Sequence, residues 1–168
     1  MTKTRKLTTT AILTAAALVV FVIESQIPSL TSVPGIKLGL SNVFTLFALY
    51  TVGAPWAFAL LLIRVVLGGL LTGQTMAILY SLSGGLLAFG AMLLGRRLIP
   101  EKQLWVVSVF GAIFHNIGQI AAAVLITSTS EILYYLPILL VSAIVTGAFT
   151  GVSAQLVLKR LKQSRFLK

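Results

Sequence analysis

From Leu104 to Ile126 the chain reads LWVVSVFGAIFHNIGQIAAAVLI, with no Asp, Glu, Lys or Arg. Such a run either lies deep inside a large soluble core or crosses a bilayer, for which about 20 apolar residues suffice. The rest of the chain decides between the two. Further apolar runs at Leu7–Ile27, Leu40–Val52, Trp56–Leu71, Met76–Leu94 and Ile132–Leu158 leave too little polar sequence to clothe a soluble core. Only 10% of the 168 residues are charged and 58% are hydrophobic, against about 25% charged in a soluble domain. The pattern predicts an all-α membrane protein of six transmembrane helices, one integral membrane domain over residues 1–168 in contact with lipid. Basic tails cover about 1–6 and 159–168.

The breaks between runs carry turn residues: PSLTSVPGIKLGLSN, GAP, TGQT, GRRLIPEKQ and TSTSE. The second and third runs are short for spans and are expected to cross as two short helices in a packed bundle. The first run follows a basic start, as a signal peptide would. It is longer than the 7–15 residues of a signal core and lacks a clean cleavage site, so it reads as a retained first helix.

The net charge of +10 comes from clusters. Lys3, Arg5 and Lys6 precede the first helix, Arg96, Arg97 and Lys102 follow the fourth, and five basic residues from Lys159 onward follow the sixth. An even number of crossings puts all three clusters on one face, which the positive-inside rule makes cytoplasmic. The expected topology is N-in and C-in, in a bacterial cytoplasmic membrane. Basic residues are not interleaved with aromatic ones, so nucleic acid is not the partner.

Ionisable and strongly polar residues within spans are costly, on the order of 2.5–3.5 kcal/mol for a charge on insertion scales. Arg64 lies midway along the third run. Glu24, in FVIESQI, is the carboxylate within reach of it. It is either Arg64's structural ion partner or its holder until an anionic ligand arrives. His115, Asn116 and Gln119 sit three and four residues apart, which puts them on one helix stripe facing the bundle. Lys37, Ser41 and Asn42 are expected near the outer face, and Tyr80 in the outer third of the fourth helix. Polar groups thus concentrate toward the outer half, as a pocket opening outward requires. Small residues repeat at packing intervals, including Ala11 and Ala15 and the Ala143–Gly147–Gly151 stripe.

The chemistry of catalysis is thin. The chain has no Cys and no Asp. No metal centre or resident cofactor is expected from a single His and three Glu, and no paired aspartates can hold Mg²⁺ with a diphosphate. A nucleotide-binding G-x-x-x-x-G-K-[ST] loop is absent. No catalytic residue is assigned, and the chain reads as a non-enzyme.

Together, PGIKLGLSNVFTLFALY, RVVLGGLLTG, LYSLSGGLLA, GAIFHNIGQI and YYLPILLVSAIVTGAFTG resemble the Gx transporter family, also called heptaprenyl diphosphate synthase component I-like proteins, over about residues 10–160. The resemblance implies kinship with the substrate-binding S-components of energy-coupling factor (ECF) importers. These are six-helix proteins that take a vitamin- or cofactor-like nutrient from outside and work with a coupling (T) subunit and two ATPase subunits. It implies that Ala11 and Ala15 match the A-x-x-x-A motif where the coupling subunit docks. The substrate-binding residues expected on this reading are Glu24, Lys37, Asn42, Arg64, Tyr80, His115, Asn116 and Gln119. Arg64 and Lys37 would receive an anionic group, and the helix 5 stripe would form the pocket floor. The ligand stays open among flavins, isoprenoid or quinone precursors and haem. The alternative function is a membrane accessory protein of isoprenoid or quinone synthesis.

Overall fold

A computed structural model describes residues 1–26 and 39–163. Six helices follow one another: α1 (Lys3–Gln26), α2 (Asn42–Thr51), α3 (Ala54–Leu71), α4 (Thr75–Leu98), α5 (Leu104–Thr127) and α6 (Leu136–Gln163). Single 3-10 turns at Glu101–Gln103 and Ser130–Tyr135 join α4 to α5 and α5 to α6. Among the described residues there is no strand. The all-α membrane bundle is as expected. Five helices are long and apolar enough to cross a membrane.

The exception is α2, one of the two helices expected to be short. At ten residues, α2 is about 15 Å long, half of a hydrocarbon core of about 30 Å. The apolar run 40–52 is trimmed at both ends by glycine. Gly39 sits at φ +77° and Gly53 at φ +98°, left-handed backbone that glycine adopts without a Cβ clash. At Gly53 the N–H groups of Val52 and Gly53 both return to the Ala48 carbonyl, 2.9 and 3.1 Å, ending the helix. Pro55 then stands in the first turn of α3.

The half-length helix is the hub of the bundle. It packs against α1, α3, α4, α5 and α6. Leu46, Ala48, Leu49 and Val52 are buried in the main apolar cluster with Leu60, Leu61 and Val65 of α3 and Met92 of α4. Around this hub α4, α5 and α6 form consecutive tight hairpins, and α1 lies along α3. A second apolar cluster, at the other end, joins Tyr80, Ile120, Ala123, Ile132 and Leu139.

One end of the bundle is basic. There Lys162 Nζ meets the Glu101 carboxylate at 2.6 and 2.7 Å, fixing the end of α6 to the α4–α5 turn. Leu13 of α1 lines a cleft with Phe44 of α2 and Ser153 and Val157 of α6. The first half of α1 is therefore level with the last half of α6. The start of α1 and the end of α6 share the basic end, as the charge pattern implies. The sixth helix begins four residues later than expected because Ser130–Tyr135 is a 3-10 turn, with Pro137 in the first turn beyond it.

Candidate functional site

Halving α2 puts its start inside the bundle, where an unpaired backbone N–H or C=O has no water to turn to. Side chains from other helices supply the partners. At the start, the Glu24 Oε1 atom of α1 accepts from the backbone N–H of Gly39 at 2.5 Å and of Leu40 at 3.3 Å. A carboxylate at a helix N-terminus also meets the positive end of the helix dipole. Arg64 of α3 then donates through Nη1 to Ser41 Oγ and through Nη2 to Asn42 Oδ1, the latter at 2.8 Å. At the far end of α2, Arg96 of α4 donates to the Leu49 carbonyl at 2.7 Å and lies 5.5 Å from the Tyr50 ring centre.

Glu24 and Arg64 are both buried, yet the close ion pair expected between them is absent. Among the described residues the ion pair within 4.0 Å is Lys162–Glu101. Glu24 instead holds backbone and Arg64 holds the two side chains that follow it, so the charges act on one another across the α2 N-terminus. Ser41 and Asn42, expected near the outer face, lie at the level of Arg64, about halfway along α3. Lys37 lies outside the described residues.

The helix 5 stripe is buried, as its spacing implies: His115, Asn116 and Gln119 are all in the interior. It divides between two neighbours. The His115 ring packs on Gly39, where a Cβ would come 2.6 Å from Cδ2 and 3.0 Å from Nε2. Its other nitrogen and the Gln119 stem face Gly84 of α4, where a Cβ would lie 2.8 Å from each. Asn116 turns away and donates through Nδ2 to the Leu139 carbonyl of α6 at 2.7 Å. Tyr80 sits apart from these groups, buried in the far apolar cluster. Ala11 and Ala15 are exposed on the outward side of α1.

The polar centre therefore comprises Glu24, Arg64, Ser41, Asn42, His115 and Gln119, floored by Gly39 and Gly84. Ser41 and the two glycines are missing from the residues expected to bind a substrate. The string GLSN before an apolar run carries their signal, since Ser and Asn gather at helix starts. Several buried atoms here have no hydrogen bond of normal geometry: Arg64 Nε, Asn42 Nδ2, His115 Nδ1 and Asn116 Oδ1. Beside Asn42 is a cavity of about 10 Å³, lined also by Ser108, Thr146 and Thr150. That is close to the smallest space a water needs. Chemically, the centre offers N–H donors around one fixed positive charge, with a single histidine. Among the described residues no group of three or more His, Cys, Asp or Glu could hold a metal ion.

The family model described as heptaprenyl diphosphate synthase component I matches residues 13–157. No curated protein and no solved structure matches the chain.

Proposed function

The chain belongs to the heptaprenyl diphosphate synthase component I family, and from that premise we propose that it is a membrane-embedded binding subunit rather than an enzyme, acting as the S-component of an ECF-type importer. On this reading it captures a small vitamin- or cofactor-like nutrient bearing an anionic or acceptor-rich group. A coupling subunit and two ATPases then drive uptake into a bacterial cell through the cytoplasmic membrane. The basic end is cytoplasmic, by the positive-inside rule.

One observation carries the reading. Arg64 Nε and Asn42 Nδ2 lie buried without hydrogen bonds where the half-length α2 begins, and the His115 ring packs on the Gly39 turn beside them. Buried polar atoms without partners are rare and each calls for a reason. A ligand that accepts hydrogen bonds supplies one. The cavity described beside Asn42, of about 10 Å³, has room for a water and not for such a ligand. The exposure of Ala11 and Ala15 on α1 is consistent with a docking face there.

The family description favours a second reading, a membrane component of a prenyl diphosphate synthase. With no Asp in the chain, the metal–diphosphate chemistry would then belong to another subunit. One experiment separates the two. The tagged protein is purified from its native membrane, and its bound proteins and small molecules are identified by mass spectrometry. Two ATPases and a coupling subunit, lost when Ala11 and Ala15 are changed to Trp, support the importer. A soluble prenyl-transferring subunit in their place overturns it. A small molecule retained by the wild type and lost in His115→Ala, with a smaller effect on thermal stability, supports the pocket.

A further inference from the structure

On the outward side of α4 and α5, away from the polar centre, runs an apolar groove of about 490 Å³. Its α4 wall extends from Leu86 to Ile99 and its α5 wall carries Phe110 and Phe114. The groove exists because of Gly90. A Cβ there meets nothing within 4 Å, while Leu86, Leu87 and Leu94 stand exposed around it. The floor is closed where Gly95 packs on Val107, whose Cγ1 would lie 3.0 Å from an added Cβ. From Leu86 to Leu98 the groove is about 18 Å long at 1.5 Å per residue. That is close to one leaflet's share of a hydrocarbon core about 30 Å thick. The groove also stops at the basic end of the bundle.

The charges at that end point to what fills it. Arg97 lies seven residues after Gly90, two turns along the same face of α4. Arg97 and Lys102 are exposed and make no hydrogen bond or ion pair with the described residues. Arg96, by contrast, is turned toward α2 and held there by the Leu49 carbonyl and the Tyr50 ring. The acidic side chain nearest this end, Glu101, is taken by Lys162. The groove thus ends at two cations that no carboxylate among the described residues engages. Long basic side chains can reach the headgroup layer while their stems stay in apolar surroundings.

We infer that the α4–α5 groove is a seat for one anionic phospholipid of the leaflet at the basic end. One acyl chain lies along Gly90 between the α4 leucines and the α5 phenylalanines, and the phosphate-bearing headgroup meets Arg97 and Lys102. Any bilayer covers this face with hydrocarbon. What the geometry adds is a fixed groove one leaflet long joined to positive charge, and hence a preference for negative headgroups.

The test places the full chain in bilayer discs containing equal amounts of phosphatidylglycerol and phosphatidylcholine, then ejects it into a native mass spectrometer and counts retained lipids. Wild type is expected to keep phosphatidylglycerol in preference to phosphatidylcholine. A basic residue near an anionic surface is worth about fivefold in binding, so Arg97→Gln is expected to lower the preference about fivefold. Arg97→Gln with Lys102→Gln should abolish it, and Arg97→Lys should restore most of it. Gly90→Leu, which fills the groove without touching a charge, should reduce retained lipid of both kinds; Gly90→Ala serves if the larger side chain impairs folding. Equal retention of the two lipids by wild type overturns the inference, as does a preference that survives the double Gln variant. A dimer in the spectra that Gly90→Leu dissociates also overturns it, since a second copy would then occupy the groove.

Discussion

Gly39 lies against the ring of His115, so close that a Cβ on the glycine would come 2.6 Å from the ring's Cδ2 and 2.9 Å from Asn42 Nδ2. One residue thus sets the left-handed turn that starts α2 and the floor on which the only histidine rests. Gly39→Ala meets both difficulties, the φ of +77° and the contact. A side chain forced into a disfavoured backbone region costs about 1–3 kcal/mol before any clash. The variant is expected to unfold at lower denaturant in detergent than wild type. In a His115→Ala background the same change should cost less, because the ring clash is relieved while the backbone term and the Asn42 contact remain. Equal costs in the two backgrounds would refute the contact.

Glu24 and Arg64 should respond differently to neutral substitution, because they hold different things. Glu24→Gln keeps an oxygen for the N–H groups of Gly39 and Leu40 and loses only charge. Glu24→Ala leaves both donors buried without a partner, at about 1–3 kcal/mol for each orphaned group. Arg64→Ala releases Ser41 and Asn42 together, at about 1.5–3 kcal/mol for each hydrogen bond to a charged group, and also removes the buried positive charge that faces Glu24 across the start of α2. The expected order of thermal stability is wild type, Glu24→Gln, Glu24→Ala, Arg64→Ala. Arg64→Lys should recover little, since one ammonium cannot reproduce two parallel N–H donors.

The α4–α5 crossing gives a sharper contrast between glycines. A Cβ on Gly118 would come 2.8 Å from the Gly84 Cα and from the Ser83 carbonyl. These are backbone atoms, which cannot swing aside. A Cβ on Gly90 meets nothing within 4 Å. Gly118→Ala is therefore expected to lower the melting temperature measurably. Gly90→Ala should leave it unchanged or raise it slightly, since alanine is the better helix former by about 1 kcal/mol. Close backbone approach through small residues is how helices associate in lipid. The reverse order of the two variants would mean that the helices cross elsewhere.

The sequence discloses the parts of this structure that depend on composition and period. Long uncharged runs such as Leu104–Ile126, in a chain this poor in charge, read as spans, and the three- and four-residue spacing of His115, Asn116 and Gln119 reads as a buried stripe. What it hides depends on which helices meet. The run at 40–52 looks like a short span. The glycines at its ends mark its length, but that α2 touches every other helix follows from packing, which leaves no local mark. Asn116 and His115 share a stripe in sequence but reach α6 and α2 respectively, because a stripe wider than one groove faces two neighbours. Glu24 and Arg64 looked like natural ion partners because few charges lie in the apolar runs. The deciding fact was instead the orphaned backbone at the start of a half-length helix, which no pattern of side chains announces.

Arg96 and Arg97 are neighbours of the same chemical type and should behave as opposites. Arg96 Nη1 donates to the Leu49 carbonyl at 2.7 Å. That carbonyl is left over because the Gly53 N–H, which would have continued the helix onto it, turns to Ala48 instead. A cation at the C-terminal end of α2 is also favoured by the helix dipole, and its place over the Tyr50 ring adds a cation–π contact. Removing Arg96 leaves the carbonyl without its donor, so Arg96→Gln is expected to destabilise by about 1–3 kcal/mol. Arg97 makes no such bond and is exposed, so Arg97→Gln should stay within about 0.5 kcal/mol of wild type. Paired thermal melts of the two variants in one detergent check this. A comparable loss from both would mean that α4 ends in a general electrostatic requirement rather than a specific cap on α2. Stability that is lost only with Arg96 would establish that the half-length helix is held at its basic end by a side chain from α4.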